Sequence, residues 1–193
     1  MAFCFPVTIG CGDVEGVKTW FSFYSDCFDI TNFPLPKGNR NKKPKFIVRS
    51  EKSGYRTLNH PDIIKNWKKS LKIKRKHKVA VLIPCAGTKP FPQAPSHKHG
   101  YLEALNGKPV DIFVVSEPLG IVPYSWSNTY PNNDYDFPPK YVKGKTRALL
   151  IQRFKTWFNQ VGKKYDKIYL ALPGHHMGLI DEAKGKTEVI PVS

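Results

Sequence analysis

The chain has 193 residues, enough for one well-buried domain and a small appendage, and a formal net charge of +16. No run of about 18 apolar residues is present to form a transmembrane helix, and four cysteines without a CxxC pair neither make a disulfide scaffold nor match a common zinc pattern. These features predict a cytoplasmic, reducing setting, with Cys4, Cys11 and Cys27 as small buried hydrophobes.

In chain order, residues 1–58 give no clear regular structure beyond an aromatic stretch from Thr19 to Phe28 and a short strand near Lys45–Arg49. They are expected to form an N-terminal extension, basic from residue 37, ahead of an α/β domain over 59–193. Asn59 or His60 followed by Pro61 starts a helix whose apolar face is Ile63, Ile64, Trp67 and Leu71. The basic tract Lys72–Lys78 leads into the apolar strand Val79–Pro84. Pro90, Pro92 and Pro95 make the following loop irregular and stiff, and His97–Leu105 is a short helix ended by Asn106-Gly107. Asp111–Ser116 is a second strand, followed by a turn at Glu117–Gly120. Ser125–Pro139 is irregular and aromatic, and Lys145–Val161 is an amphipathic helix. Lys167–Pro173 is a third strand, His175–Ala183 a helix and Glu188–Val192 a last strand. This alternation predicts a three-layer α/β fold with a mostly parallel sheet. Parallel order would bring the Cys85 loop, the Ser116 turn and the Pro173–His176 turn to one edge, where open α/β sheets bind ligands.

Charge is distributed unevenly. Residues 31–78 carry sixteen Lys or Arg against two acidic residues, whereas residues 79–139 carry three against five. A basic surface around a non-basic pocket suits a polyanion gripped by its backbone, with Lys68, Lys72, Lys74, Arg75 and Lys76 as its contacts.

Among reactive groups, Cys85 stands at a strand's end near Lys89 and His97, both able to lower a thiol pKa; a buried structural cysteine is the competing reading. Ser96 suits an ordinary helix cap. His175 and His176 are adjacent, whereas helical metal pairs want a spacing of three or four, and HExxH is missing. No metal is therefore expected, and without GxGxxG, P-loop or GxSxG patterns no cofactor is expected either.

Three stretches carry a resemblance. PCAGTKPFPQAPSH (Pro84–His97) resembles the signature of the archaeosine synthase catalytic core, Pro-Cys-Ser followed by Lys-Pro-Tyr and Ser-x-Ser-His, with Phe91 for the aromatic and Ala86 and Ala94 for serines. SEPLGIVP (Ser116–Pro123) is similar to that family's Ser-Pro-Leu-Gly-x-Val-Pro turn with Glu117 inserted. YPNNDYDFP (Tyr130–Pro138) is similar to its Tyr-Pro-x-x-His-Tyr-Asp-x-Pro, with Asp134 in place of His; NHPDIIKNW also fits. The resemblance spans about residues 59–180.

It implies a transferase that adds an amine such as lysine to the nitrile of 7-cyano-7-deazaguanine in tRNA, with a separate radical enzyme completing the base in some organisms. Full-length members add transglycosylase-like and tRNA-binding modules; at 193 residues the basic segments here, or a partner, are expected to supply that grip. Cys85 suits a nucleophile forming a thioimidate, Lys89 or His97 the proton donor, and Asp136 the group orienting an ammonium. Direct amine attack, with Cys85 structural, is the alternative. Thr88, Ser96, Ser116, Gly120, Tyr130, Tyr135 and His175 are candidate substrate contacts. The substitutions at Ala86 and Asp134 leave the donor open and also fit a substrate base in DNA. A non-catalytic module binding structured RNA or DNA is the rival reading.

Overall fold

The computed structural model describes residues 43–192. The expectations for Cys4, Cys11, Cys27 and the Thr19–Phe28 stretch lie outside the described residues. Within them the chain is α/β, as its alternation predicts. The elements are β1 (Phe46–Ile47), α1 (Glu51–Leu58), α2 (Pro61–Ser70), β2 (Val79–Pro84), a π-turn (His97–Tyr101) running into α3 (Leu102–Leu105), and β3 (Val110–Ser116). Then follow β4 (Gly120–Pro123), β5 (Tyr135–Asp136), α4 (Gly144–Gln160), β6 (Lys167–Leu170), α5 (Gly174–Ala183) and β7 (Ile190–Pro191).

The main sheet has the order β4-β3-β2-β6-β7. β2 lies centrally and pairs in parallel with β3 (Val79 opposite Val110 through Pro84 opposite Val115) and with β6 (Val79 opposite Lys167 through Leu82 opposite Leu170). A central parallel strand is covered on both faces, which is why VAVLIP is apolar without alternation. Its side chains still alternate between two cores. Val81 and Ile83 pack with Ile63, Tyr101, Leu105 and Tyr124, while Ala80 and Leu82 pack with Leu150, Phe154, Trp157 and Ile180. Helices therefore sit on both faces, giving three layers. No helix among the described residues is long and apolar enough to cross a membrane.

Besides the two-residue β5, which falls in the stretch read as irregular, two elements escaped the sequence reading. α1 is started by a capping box, with Ser50 and Ser53 each bonding the other's backbone. It docks on α4: the Thr146 hydroxyl donates to the Glu51 carbonyl, and Leu58 is fully buried in the α4-side core. Packed structure thus reaches back across residue 59, through α1 to β1, which pairs with β5. Gly144 opens α4 with φ of +47°, a left-handed conformation that favours glycine, and a Cβ there would crowd the Glu51 carboxylate. β4 is the second: it folds back antiparallel on β3 from the Glu117–Gly120 turn, setting Ser116 opposite Gly120. Gly120 has φ of +83° and lies against the Trp67 ring of α2, which covers this edge.

Candidate functional site

The three loops do converge at the carboxyl ends of the parallel strands. β2 delivers Cys85, whose N–H still donates to Val115 O at 3.0 Å and so fixes the residue to the sheet. β3 delivers Ser116 and Glu117. The turn after β6 delivers His175 and His176 in the first turn of α5. The Cys85 thiol donates to Glu117 Oε2 at 3.3 Å. Glu117 Oε1 lies 2.8 Å from His176 Nε2 and 3.8 Å from His175 Nε2. Glu117 and His176 are buried, and Cys85 is half-buried.

Burial pushes the Cys85 thiol well above its usual range, and the Glu117 carboxylate beside it pushes in the same direction; Lys89 offsets this only in part. Burial alone would also raise Glu117. The neighbouring His176, with hydrogen bonds from His176 and Cys85, more than offsets it and holds the carboxyl below the usual carboxylate range. Burial lowers Lys89, while Cys85, Glu117 and Asp136 support its charge. The resting arrangement is a thiol donating to a carboxylate, next to a partly desolvated amine.

Lys89 Nζ donates to Ala86 O at 2.6 Å and sits 4.1 Å above the Tyr135 ring. Tyr135 is buried and its hydroxyl accepts from Ser116 Oγ at 2.6 Å, so two sequence candidates meet directly beneath Lys89. Thr88, Lys89, Tyr135 and Asp136 line a cleft of about 780 Å³, with Lys98, His99, Asp134 and Gln93 among its other walls. Asp136 reaches this cleft while paired to Arg49 Nη1 at 2.7 Å.

Other candidates stand apart from this group. His97 is only 1% exposed and lies between the Phe91 and Tyr124 rings, at 5.8 Å and 5.7 Å between centroids, with Nδ1 3.3 Å from the Tyr124 hydroxyl. Burial, with a smaller contribution from Lys89, holds its imidazole down at about 4. Ser96 precedes the π-turn without a side-chain capping bond. Gly120 meets Trp67 in the turn. Tyr130 is exposed, and its hydroxyl joins Lys45 and Asp62. Lys68, Lys72, Lys74, Arg75 and Lys76 are all exposed, on α2 and the tract after it, and Arg75 pairs with Asp166.

The sequence reading missed Glu117 as a functional group and set His176 aside. One signal was available for Glu117: it is a lone carboxylate inside the apolar run IFVVSEPLG, where an ionised side chain needs a partner. The adjacency argument against the two histidines holds for a helix interior. At the start of α5 their rings lie 4.2 Å apart, and both Nε2 atoms approach one oxygen of Glu117. Among the described residues Cys85, Glu117 and His176 also form a possible metal-holding group, with donor atoms within 4.8 Å of one another.

Comparison with known proteins places the chain in a family. Residues 64–191 match the family described as "Domain of unknown function (DUF5591)". The archaeosine synthase subunit alpha of Thermoplasma acidophilum is 27% identical over 158 residues, which cover 79% of this chain and 28% of that protein. The archaeosine synthase of Methanocaldococcus jannaschii is 24% identical over 158 residues, 79% of this chain and 25% of that protein. The resemblance read from the three motifs is therefore borne out, and the chain spans about a quarter of the length of these relatives. The crystal structure of AF0587, a protein of unknown function, shares the fold with a TM-score of 0.50 and 16% identity, over 66% of this chain and 42% of that one.

Proposed function

The chain belongs to the DUF5591 family, and from that premise we propose that it is a transferase adding an amine to the 7-cyano group of a deazaguanine base in tRNA. Two similar proteins are named archaeosine synthases, which supports a base-modifying role. The observation that carries the chemistry is the Cys85 thiol donating to the buried Glu117 carboxylate beside Lys89.

A thiol raised above its usual range attacks poorly unless a base takes its proton as the bond forms. Glu117 is that base. Cys85 Sγ bonds to the nitrile carbon, the thiol proton passes to Glu117, and the nitrile nitrogen takes a proton from Lys89 to give a thioimidate. The proton on Glu117 then restores Lys89. In the second step the incoming amine bonds to the same carbon, the C–S bond breaks, and the amine's surplus proton returns to sulfur. Lys89 takes the donor role because His97 is enclosed in its aromatic stack. Asp134 and Asp136 give the cleft an acidic wall suited to the ammonium of an amine such as lysine, and Thr88 and Ser116 remain candidate contacts to the base. The exposed lysines of α2 and the tract after it grip the tRNA backbone.

Intact-mass spectrometry after incubation with 7-cyano-7-deazaguanine, free and within tRNA or DNA, tests this. An adduct on the wild type that is lost in Cys85→Ala supports the thioimidate, and its substrate preference separates RNA from DNA. Product without an adduct moves the chemistry to direct amine attack. Neither adduct nor product, with nucleic acid still bound, overturns the enzyme reading in favour of a binding module.

A further inference from the structure

The geometry points to an exchangeable zinc site at Cys85, Glu117 and His176. Three separate elements deliver a sulfur, an oxygen and a nitrogen donor to one place: the end of β2, the turn after β3 and the first turn of α5. Cys85 Sγ is 3.3 Å from Glu117 Oε2, His176 Nε2 is 2.8 Å from Glu117 Oε1, and the donors all lie within 4.8 Å of one another. Tetrahedral Zn²⁺ at its usual bond lengths holds such donors about 3.3–3.6 Å apart. The Cys85 and His176 distances run to different oxygens of the Glu117 carboxylate; with one donor atom from each residue the set spans at most 4.8 Å, so shifts of up to about 1 Å bring it to tetrahedral separations as the metal replaces the proton between Glu117 and His176. His175, 41% exposed with Nε2 at 3.8 Å from Glu117 Oε1, or a water, completes the fourth position.

The surroundings set the strength. Zinc on Nε2 of His176 leaves the ring proton on Nδ1, which is buried and has no acceptor among the described residues. A missing outer partner of this kind typically weakens metal binding by about 10–100-fold. The site is therefore expected to load and release zinc rather than to hold it as a structural centre. Binding exchanges one thiol proton for the metal: Cys85 S–H breaks, S–Zn forms, and the proton leaves to solvent. The bound state takes the thiol out of use. If Cys85 is the nucleophile proposed above, zinc is a reversible block on it; metal binding itself is tested without substrate, so the two readings fail independently.

The measurement uses the full chain with a phosphine reductant, Zn²⁺ alone against a competing chelator, and metal counted by mass spectrometry. A Cys4→Ser/Cys11→Ser/Cys27→Ser variant serves as background, so that the other thiols contribute nothing. The expected result is about one zinc per chain on that background, lost on adding Cys85→Ser or Glu117→Gln. Co²⁺ should give a thiolate charge-transfer band that disappears with Cys85→Ser, and Zn²⁺ should protect Cys85 from alkylation until chelator is added. Circular dichroism confirms that each variant folds. No zinc on the background, zinc retained by folded Cys85→Ser, or unprotected Cys85 alkylation at saturating zinc would overturn the proposal.

Discussion

Glu117 ties together atoms far apart in sequence: its partners Cys85 and His176 are 32 and 59 residues away. That separation explains why Cys85 was legible in the sequence while Glu117 was not. A cysteine at a strand's end announces itself locally, but a carboxylate's partner does not. Glu117→Gln keeps the shape and removes the base, so thioimidate formation should slow by about 10²–10⁴-fold with the fold intact. Stopped-flow or quenched adduct kinetics on free nitrile would show it, and an unchanged rate would exclude Glu117 as the base. His97 gives a different prediction. Its folded value of about 4 lies below the ordinary 6.5, so the unfolded chain binds the proton first. Stability is full above pH 6.5 and falls as pH drops toward 4, by about 3 kcal/mol at 1.36 kcal/mol per unit. Urea melts across that range should show the loss, and His97→Phe should flatten it.

Between elements, the turn that carries Glu117 is anchored from outside. Arg153 of α4, only 3% exposed, donates to Pro118 O at 3.1 Å and Leu58 O at 2.6 Å and stacks over the Trp67 ring. One side chain thereby joins α1, α2, α4 and the turn that carries Glu117. Arg153→Met would strand both carbonyls, at a cost of about 2–4 kcal/mol in urea unfolding. It should also slow adduct formation, because Glu117 loses its support; a stability change within 0.5 kcal/mol would contradict this role. The sheet's parallel strands and the long α4 were readable because apolar runs and helical periodicity are local signals. α1 was not: its one strong local signal is the Ser50–Ser53 cap, and its place comes from docking on α4. β4 was hidden because a four-residue strand after Pro-Leu-Gly looks like more turn.

Among the described residues, the basic tract and the candidate site occupy different regions. The basic tract lies on α2 and the segment leading into β2, at the amino end of the strand whose carboxyl end bears Cys85. A nucleic acid held there would be positioned by its backbone while a base reaches across to the opposite edge. Replacing Lys68, Lys72, Lys74 and Lys76 together by Gln should weaken tRNA binding and reduce the slope of log K against log salt by up to about 3–4. Fluorescence anisotropy over a potassium chloride series would measure it, while adduct formation with the free base should stay unchanged.

The short strand β7 has a consequence for self-association. Val192 N–H points inward to Leu170 O at 2.8 Å, so the alternation of a strand turns the nitrogen of position 191 outward. That residue is proline, which has no hydrogen to offer a newcomer. Among the described residues, with α2 covering the β4 side, neither rim of the main sheet gives another chain a row of backbone donors on which to build. A destabilised variant of this protein should therefore fail by exposing its apolar layers rather than by templating strands along the native sheet.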